Sequence, residues 1–118
     1  MQERYKNIII RAYTAFNARD IDSVLLVMDK NVHWPNGWEG GYVEGHEEVK
    51  NYWQRQWVEL DPEVTPVSFT ENEHGHIKVK VHQVIKSIQG NVLLDGMITH
   101  VYTFRNGLIK SMEIIALL

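Results

Sequence analysis

Two polar residues, His100 and Gln83, fall where the sequence otherwise places apolar residues on one face of a sheet. An imidazole in an apolar pocket can act as a general acid or base or donate a hydrogen bond, and a nearby amide can orient the imidazole or a ligand. The structural alternative is a core histidine that is satisfied by a backbone carbonyl or a buried water. For His100 the sequence leaves both interpretations open.

Side-chain alternation along two strands predicts that these residues share a face. Between residues 76 and 88 the apolar positions are mainly odd-numbered, Gln83 shares their face, and three lysines share the other. A two-residue turn at Gln89-Gly90 or Gly90-Asn91 pairs odd residues of this strand with even residues of the next. The outer face then offers Met97 and Val101 for a subunit contact. The inner face is predicted to continue through Leu94, Gly96, Ile98, His100, Tyr102 and Phe104.

Glu113 could supply a carboxylate to His100, which makes this pair the candidate catalytic residues. A two-residue turn at 106–107 places Glu113 opposite His100, where the carboxylate would raise the pKa of the imidazole. A β-bulge in the last strand would instead turn Met112 inward and Glu113 outward. We favour the bulge because the even positions from Met112 to Ala116 then form an apolar face.

Aromatic residues are concentrated before residue 58, and aromatic walls suit a flat or cyclic apolar ligand. Packing of a helix onto the sheet is the more common explanation for Trp53 and Trp57. Trp34 and Trp38 flank the turn at 35–37 and are better placed to line an entrance. The predicted ligand-binding residues are Tyr13, Phe16, Trp34, Trp38, Trp53, Gln56, Trp57, Gln83, Ile98, Tyr102 and Met112.

The elements that position these residues follow from periodicity. Helical spacing of apolar residues predicts three helices, over residues 4–17, 21–28 and 46–60, and Asp20 is the expected N-cap of the second. Alternation and turn signals predict strands over residues 31–34, 42–43, 63–73, 76–88, 92–104 and 108–117. The last four form a meander, and the length of its strands predicts a strongly curved sheet.

Composition narrows the classes of function. At 118 residues, the chain is expected to form a single domain over residues 1–118. The net charge of -3 argues against a nucleic-acid partner, and the absence of cysteine excludes thiolate chemistry and cysteine metal sites. No apolar run is long enough for a membrane span, and the polar start predicts a cytoplasmic protein. His74-Gly75-His76 has no third ligand nearby, so we predict no metal and no cofactor.

Four segments resemble the nuclear transport factor 2-like superfamily, which includes the ketosteroid isomerases and the SnoaL-like polyketide cyclases. The segments are FNARDID at 16–22, NVHWPNG at 31–37, GHEEV at 45–49 and, most distinctive, HVYTFRNGLI at 100–109. The resemblance implies an α+β cone, in which three N-terminal helices pack on a strongly curved, mainly antiparallel sheet. It also implies an apolar pocket for a small apolar or aromatic ligand, and often a homodimer through the outer face of the sheet.

The functional residues of the family carry over only in part. Ketosteroid isomerases place a pocket carboxylic acid at the position that matches His100, which supports an inward imidazole. Their catalytic base matches Trp34, and their first-helix tyrosine falls one step from Tyr13, so steroid isomerisation is not expected. SnoaL-like cyclases use an Asp/His pair, which here would be His100 with Glu113 or Asp95, although alternation turns Asp95 outward.

Two functions fit these observations. The first is a cofactor-independent isomerase, cyclase or hydrolase that acts on an apolar, oxygenated ligand, with His100 as the proton carrier. The second is a non-catalytic module that holds a ligand or a protein partner, which the missing carboxylates favour. The sequence leaves open whether the protein is an enzyme.

Overall fold

This computed structural model describes residues 3–115 of the chain. These residues contain three helices and six strands. The helices are α1 (Glu3–Asn17), α2 (Ile21–Leu25) and α3 (Gly45–Glu59). The strands are β1 (Met28–Pro35), β2 (Tyr42–Glu44), β3 (Leu60–Glu71), β4 (Ile77–Ser87), β5 (Val92–Arg105) and β6 (Leu108–Ile115). Within these residues, none of the helices has the length and hydropathy of a membrane span.

The strands form one sheet in the order β2-β1-β6-β5-β4-β3. Neighbours are antiparallel except for β1 and β6, which run parallel. Ile9 of α1 and Val49 of α3 are fully buried in one core with Val79 and Val81 of β4, so the helices cover the inner face of the sheet. The predicted α+β class, with three helices on a mainly antiparallel sheet, is confirmed.

Helix α2 is shorter than the sequence predicts. It begins as expected, after Asp20, whose side chain accepts a hydrogen bond from the Ser23 backbone N–H. The helix ends at Leu25 rather than at Met28. The Val27 carbonyl accepts from the backbone N–H of Ile109, so the chain at this point has already joined the sheet. Strand β1 therefore begins at residue 28 instead of residue 31.

The turn between β4 and β5 differs from the prediction, but the predicted pairing holds. The Ser87 backbone N–H donates to the Asn91 carbonyl, so the loop spans three residues, 88–90, rather than two. A bulge after Ile85 then moves the register by one residue. Odd residues of β4 therefore still face even residues of β5, and His100 lies on the inner face.

Strand β6 contains the predicted bulge. The pairing shifts by one residue between Phe104 and Thr103, and beyond the shift Tyr102 lies opposite Met112. Met112 is consequently buried on the inner face, whereas Glu113 lies on the outer face opposite Val101. The candidate pairing of Glu113 with His100 is therefore wrong, because the bulge reverses the side on which the carboxylate points.

Asn17 ties the end of α1 to β3. Its side-chain amide donates to the Val64 carbonyl at 2.7 Å and accepts from the Val64 N–H at 3.0 Å. We expect Asn17→Ala to lower the free energy of unfolding by about 1–3 kcal/mol, because both backbone groups of a buried residue lose their partner. Urea denaturation measures the loss. Thr14→Ala, which removes an exposed hydroxyl from the same helix, is the control, and an equal loss in both variants would contradict the assignment.

Candidate ligand cavity

A cavity of about 380 Å³ lies between the helices and the inner face of the sheet. Its wall is mostly apolar and aromatic, as is typical of small-molecule sites. Of the residues predicted from the sequence, it is lined by Tyr13, Phe16, Trp34, Trp38, Trp53, Gln56, Gln83, Ile98, His100, Tyr102 and Met112. Tyr52 and Val64 also line it and were not predicted.

Trp57 does not line the cavity, contrary to the prediction. Its ring stacks on Trp53 with the centroids 5.8 Å apart, meets the edge of Phe16 and lies under the Arg19 guanidinium at 4.9 Å. Because Trp57 packs against Trp53 and Phe16, which both line the cavity, it supports the wall from behind. Its indole N–H is the one enclosed side-chain polar atom without a partner in residues 3–115.

The deep end of the cavity holds a hydrogen-bonded chain of three side chains. Tyr102 of β5 donates its hydroxyl proton to the Tyr13 oxygen at 2.8 Å. Tyr13 of α1 lies 2.8 Å from Nδ1 of His100, and its own proton is free to be donated there. Strand alternation puts Tyr102 and His100 on the same face, and the buried stripe of α1 places Tyr13 above them.

Burial fixes the protonation of this chain. It lowers the pKa of His100 to about 4 and raises the pKa of both tyrosine hydroxyls above the usual value, so all three groups are neutral at pH 7. A neutral imidazole that accepts at Nδ1 carries its proton at Nε2. Nε2 has no hydrogen-bond partner in residues 3–115, yet it is not enclosed. Because His100 lines the cavity, its Nε2–H is a donor available to a ligand.

Glu113 and Asp95, the carboxylates that the family resemblance suggests as partners of His100, do not line the cavity. Glu113 accepts a hydrogen bond from the Tyr42 hydroxyl at 2.6 Å, and Asp95 pairs with His82 at 2.6 Å. Among the described residues that line the cavity, there is no Asp, Glu, Lys or Arg. The same part of the chain contains no cluster of three or more potential metal ligands. The described part of the cavity wall therefore carries no formal charge at neutral pH.

The loop between β1 and β2 places Trp38 on the cavity. Asn36 accepts hydrogen bonds from the backbone N–H groups of Trp38 and Glu39, which fixes the turn. Glu39 in turn accepts from Arg55 of α3 at 2.8 Å. Tyr52 of α3 is buried, and burial raises the pKa of its hydroxyl. The loop is thus anchored to α3 rather than free.

Burial decreases along β5 from the deep end of the cavity to its open end. His100 and Tyr102 are 6% and 1% exposed, Ile98 is half-buried, and Leu94 is 46% exposed while still lining the cavity. A ligand that reaches His100 would therefore extend along the strand towards Leu94 and solvent.

Comparisons with known proteins agree with this architecture. A family model described as the SnoaL-like domain matches residues 9–112. A search of curated proteins finds no match.

Several solved structures have similar folds. TerC, co-crystallised with polyporic acid, is 26% identical with a TM-score of 0.83, over 96% of this chain and 91% of that chain. A nuclear transport factor 2-like protein of unknown function from Burkholderia pseudomallei is 23% identical with a TM-score of 0.83, over 98% and 92%. A Mycobacterium tuberculosis protein in complex with estradiol-17β-hemisuccinate is 16% identical with a TM-score of 0.82, over 98% and 95%.

Proposed function

This chain belongs to the SnoaL-like domain family, and we propose that its cavity binds an uncharged, largely apolar small molecule whose oxygen accepts a hydrogen bond from His100. The observation that carries the proposal is the neutral Nε2–H donor of His100, at the deep end of a cavity whose described lining residues bear no charge. Two of the similar structures hold small molecules, polyporic acid and estradiol-17β-hemisuccinate, which supports small-molecule binding.

The charge of the ligand follows from desolvation. An ionised carboxylate placed in an apolar cavity without a cationic partner loses several kcal/mol of solvation. No cationic side chain lines this cavity among the described residues, and His100 stays neutral above about pH 4. A ketone, quinone or ester oxygen, by contrast, needs only one donor. Uncharged carbonyl compounds are therefore the favoured ligand class.

Catalysis of an isomerisation or cyclisation is a second candidate, favoured by the same chain of hydroxyls behind His100. A histidine with a pKa of about 4 is a weak base at neutral pH, so the proton-carrier role expected from the sequence is not the one that its surroundings favour. A neutral imidazole can instead polarise a carbonyl by donating from Nε2, and its position is already fixed by Tyr13. Recovery of the ligand unchanged would identify a binding protein, whereas turnover that is lost in His100→Leu would identify an enzyme.

A matched pair of probes tests the proposed ligand class. 2-Acetonaphthone and 2-naphthoate share a ring system and differ in carrying a neutral ketone or a carboxylate. At pH 7.5 we expect titration by tryptophan fluorescence to give at least tenfold tighter binding of the ketone. We expect His100→Leu to weaken ketone binding about five- to tenfold, since one hydrogen bond is lost.

The control for this experiment is His76→Leu, which makes the same change at a residue that does not line the cavity. It should leave both affinities unaltered. Equal or tighter binding of the carboxylate, or unaltered ketone binding in His100→Leu, would contradict the proposal. The homodimer and the cytoplasmic location stay predictions from the sequence.

A further inference from the structure

Gly96 occupies a strand position that does not require glycine. Its backbone φ is not positive, unlike that of six other glycines in the described chain. A Cβ built on Gly96 meets nothing within 4 Å, so neighbouring atoms do not exclude a side chain either. Glycine in the interior of a strand is destabilising, because it loses more backbone entropy and packs no side chain. Its presence leaves open space on the inner face of β5.

Gln83 lies directly across from this space. It pairs with Gly96 in the register of β4 and β5, and it lines the cavity. Its side-chain amide has no hydrogen-bond partner in residues 3–115 and is not enclosed. On its other side, Gln83 neighbours Val64, whose apolar side chain also lines the cavity. A free amide therefore faces a gap in an apolar wall.

This amide is far from the His100 donor, so the expectation that it lies near enough to orient the imidazole is wrong. Gly96 and His100 are four residues apart on β5, which corresponds to about 13 Å along a strand. Ile98 lies between them on the same face and keeps the intervening wall apolar. Gln56 of α3, 8% exposed and also without a side-chain partner in the described residues, adds an amide from the helical wall. Along β5 the cavity wall is thus polar at His100, apolar at Ile98 and open to an amide at Gly96.

We infer that Gln83 and the space at Gly96 form a second subsite, which takes an uncharged hydrogen-bonding group at the opposite end of the ligand from the oxygen bound by His100. The inference rests on the proposed function and narrows its ligand class to elongated molecules with two oxygen functions, such as hydroxyketones and diketones built on two or more rings. The amide of Gln83 both donates and accepts, so a hydroxyl and a carbonyl each satisfy it. Gly96 sets the room available to that end of the ligand.

Two biphenyl ketones test the subsite. 4-Acetyl-4′-hydroxybiphenyl carries oxygens at both ends, and 4-acetylbiphenyl lacks only the hydroxyl. By calorimetric titration we expect wild type to bind the hydroxylated compound about five- to tenfold more tightly. We expect Gln83→Leu to remove that advantage while keeping the affinity for 4-acetylbiphenyl within about twofold. Lys80→Leu makes a similar change on the opposite face of β4 and should keep the advantage.

A second variant probes the space rather than the amide. The Cβ of valine in Gly96→Val meets no existing atom, so the variant should fold and be at least as stable as wild type. We expect this variant to bind both biphenyl compounds at least tenfold more weakly. Its affinity for the shorter 2-acetonaphthone should not change, because only the longer molecules reach the end of the cavity at Gly96.

The outcomes separate this inference from the proposed function. Binding of 2-acetonaphthone without any advantage from the biphenyl hydroxyl, or an advantage that persists in Gln83→Leu, overturns the subsite and leaves the proposed function standing. Unaltered biphenyl binding in Gly96→Val also overturns it. Failure of every ketone to bind wild type overturns both.

Discussion

Between pH 6.5 and pH 4, wild type is expected to lose about 3 kcal/mol more of its unfolding free energy than His100→Leu does. In the folded protein, burial lowers the pKa of His100 to about 4, whereas an unfolded histidine titrates near 6.5. Between these values the unfolded chain binds a proton that the folded chain does not, so stability falls as the pH falls. Each pH unit in this window corresponds to about 1.4 kcal/mol.

The sign of the effect is specific to a histidine that is buried neutral. The contribution is fully present above about pH 6.5 and is lost as the pH approaches 4, where the folded imidazole also begins to take up a proton. The titratable groups that contact the ring, Tyr13 and Tyr102, stay neutral throughout because burial raises their pKa. They add nothing to the slope in this range.

Urea denaturation at half-unit steps from pH 4 to pH 7.5 measures the effect, at one protein concentration because self-association would add to stability. The quantity compared is the change in unfolding free energy across the window in wild type and in His100→Leu. His82→Leu removes a half-exposed histidine and is the control, which should retain most of the wild-type slope. Parallel curves for wild type and His100→Leu would contradict the prediction, because they would mean that folding does not lower the pKa of His100.

Tyr13→Phe is expected to destabilise the protein by about 2–5 kcal/mol, whereas Tyr102→Phe is expected to cost about 1 kcal/mol. Each variant removes one hydroxyl oxygen. Tyr13 stands in the middle of the chain, so its loss leaves both the Tyr102 hydroxyl and Nδ1 of His100 without a partner in a buried place. Tyr102 stands at the end, and its loss leaves the Tyr13 to His100 hydrogen bond intact.

Chemical denaturation of the two variants measures this difference, and nitrogen NMR of the imidazole gives an independent readout. Wild type and Tyr102→Phe should show the tautomer protonated at Nε2, because Nδ1 still accepts from Tyr13. Tyr13→Phe frees Nδ1 and should give a mixture of tautomers. Equal destabilisation by the two variants, with no change of tautomer, would mean that the hydroxyls do not act as a chain.

Most of the fold is predictable from the sequence because its elements follow strong local patterns. Apolar periodicity identifies α1 and α3 to within a few residues, and alternation identifies the inner face of β4 and β5. The end of α2 is not predictable in this way, since residues 26–28 fit a helical stripe. Their conformation is decided by pairing with β6, more than 80 residues later in the chain.

The cavity-lining residues on the strands are predictable because side chains alternate between the two faces of a sheet. His100, Gln83 and Met112 face inward because alternation and one bulge put them there. The contact of Tyr13 with His100 depends on the tertiary placement of α1, and the only signal for it is the family tyrosine one step away. The place of Trp57 behind the cavity wall is not predictable for a similar reason, because helical spacing does not say which aromatic residue of a cluster lines a cavity.

The position of β6 in the sheet has a consequence for synthesis on the ribosome. The last described strand lies between β1 and β5, so the earlier strands form two separate groups, β2-β1 and β5-β4-β3, until residues 108–115 join them. Trp34 comes from one group and His100 from the other, and both line the cavity. A nascent chain that ends before β6 therefore exposes aromatic surface and has no complete cavity. Ligand binding can begin only after β6 has emerged, and a ligand present in the cell then favours the finished chain over its folding intermediates.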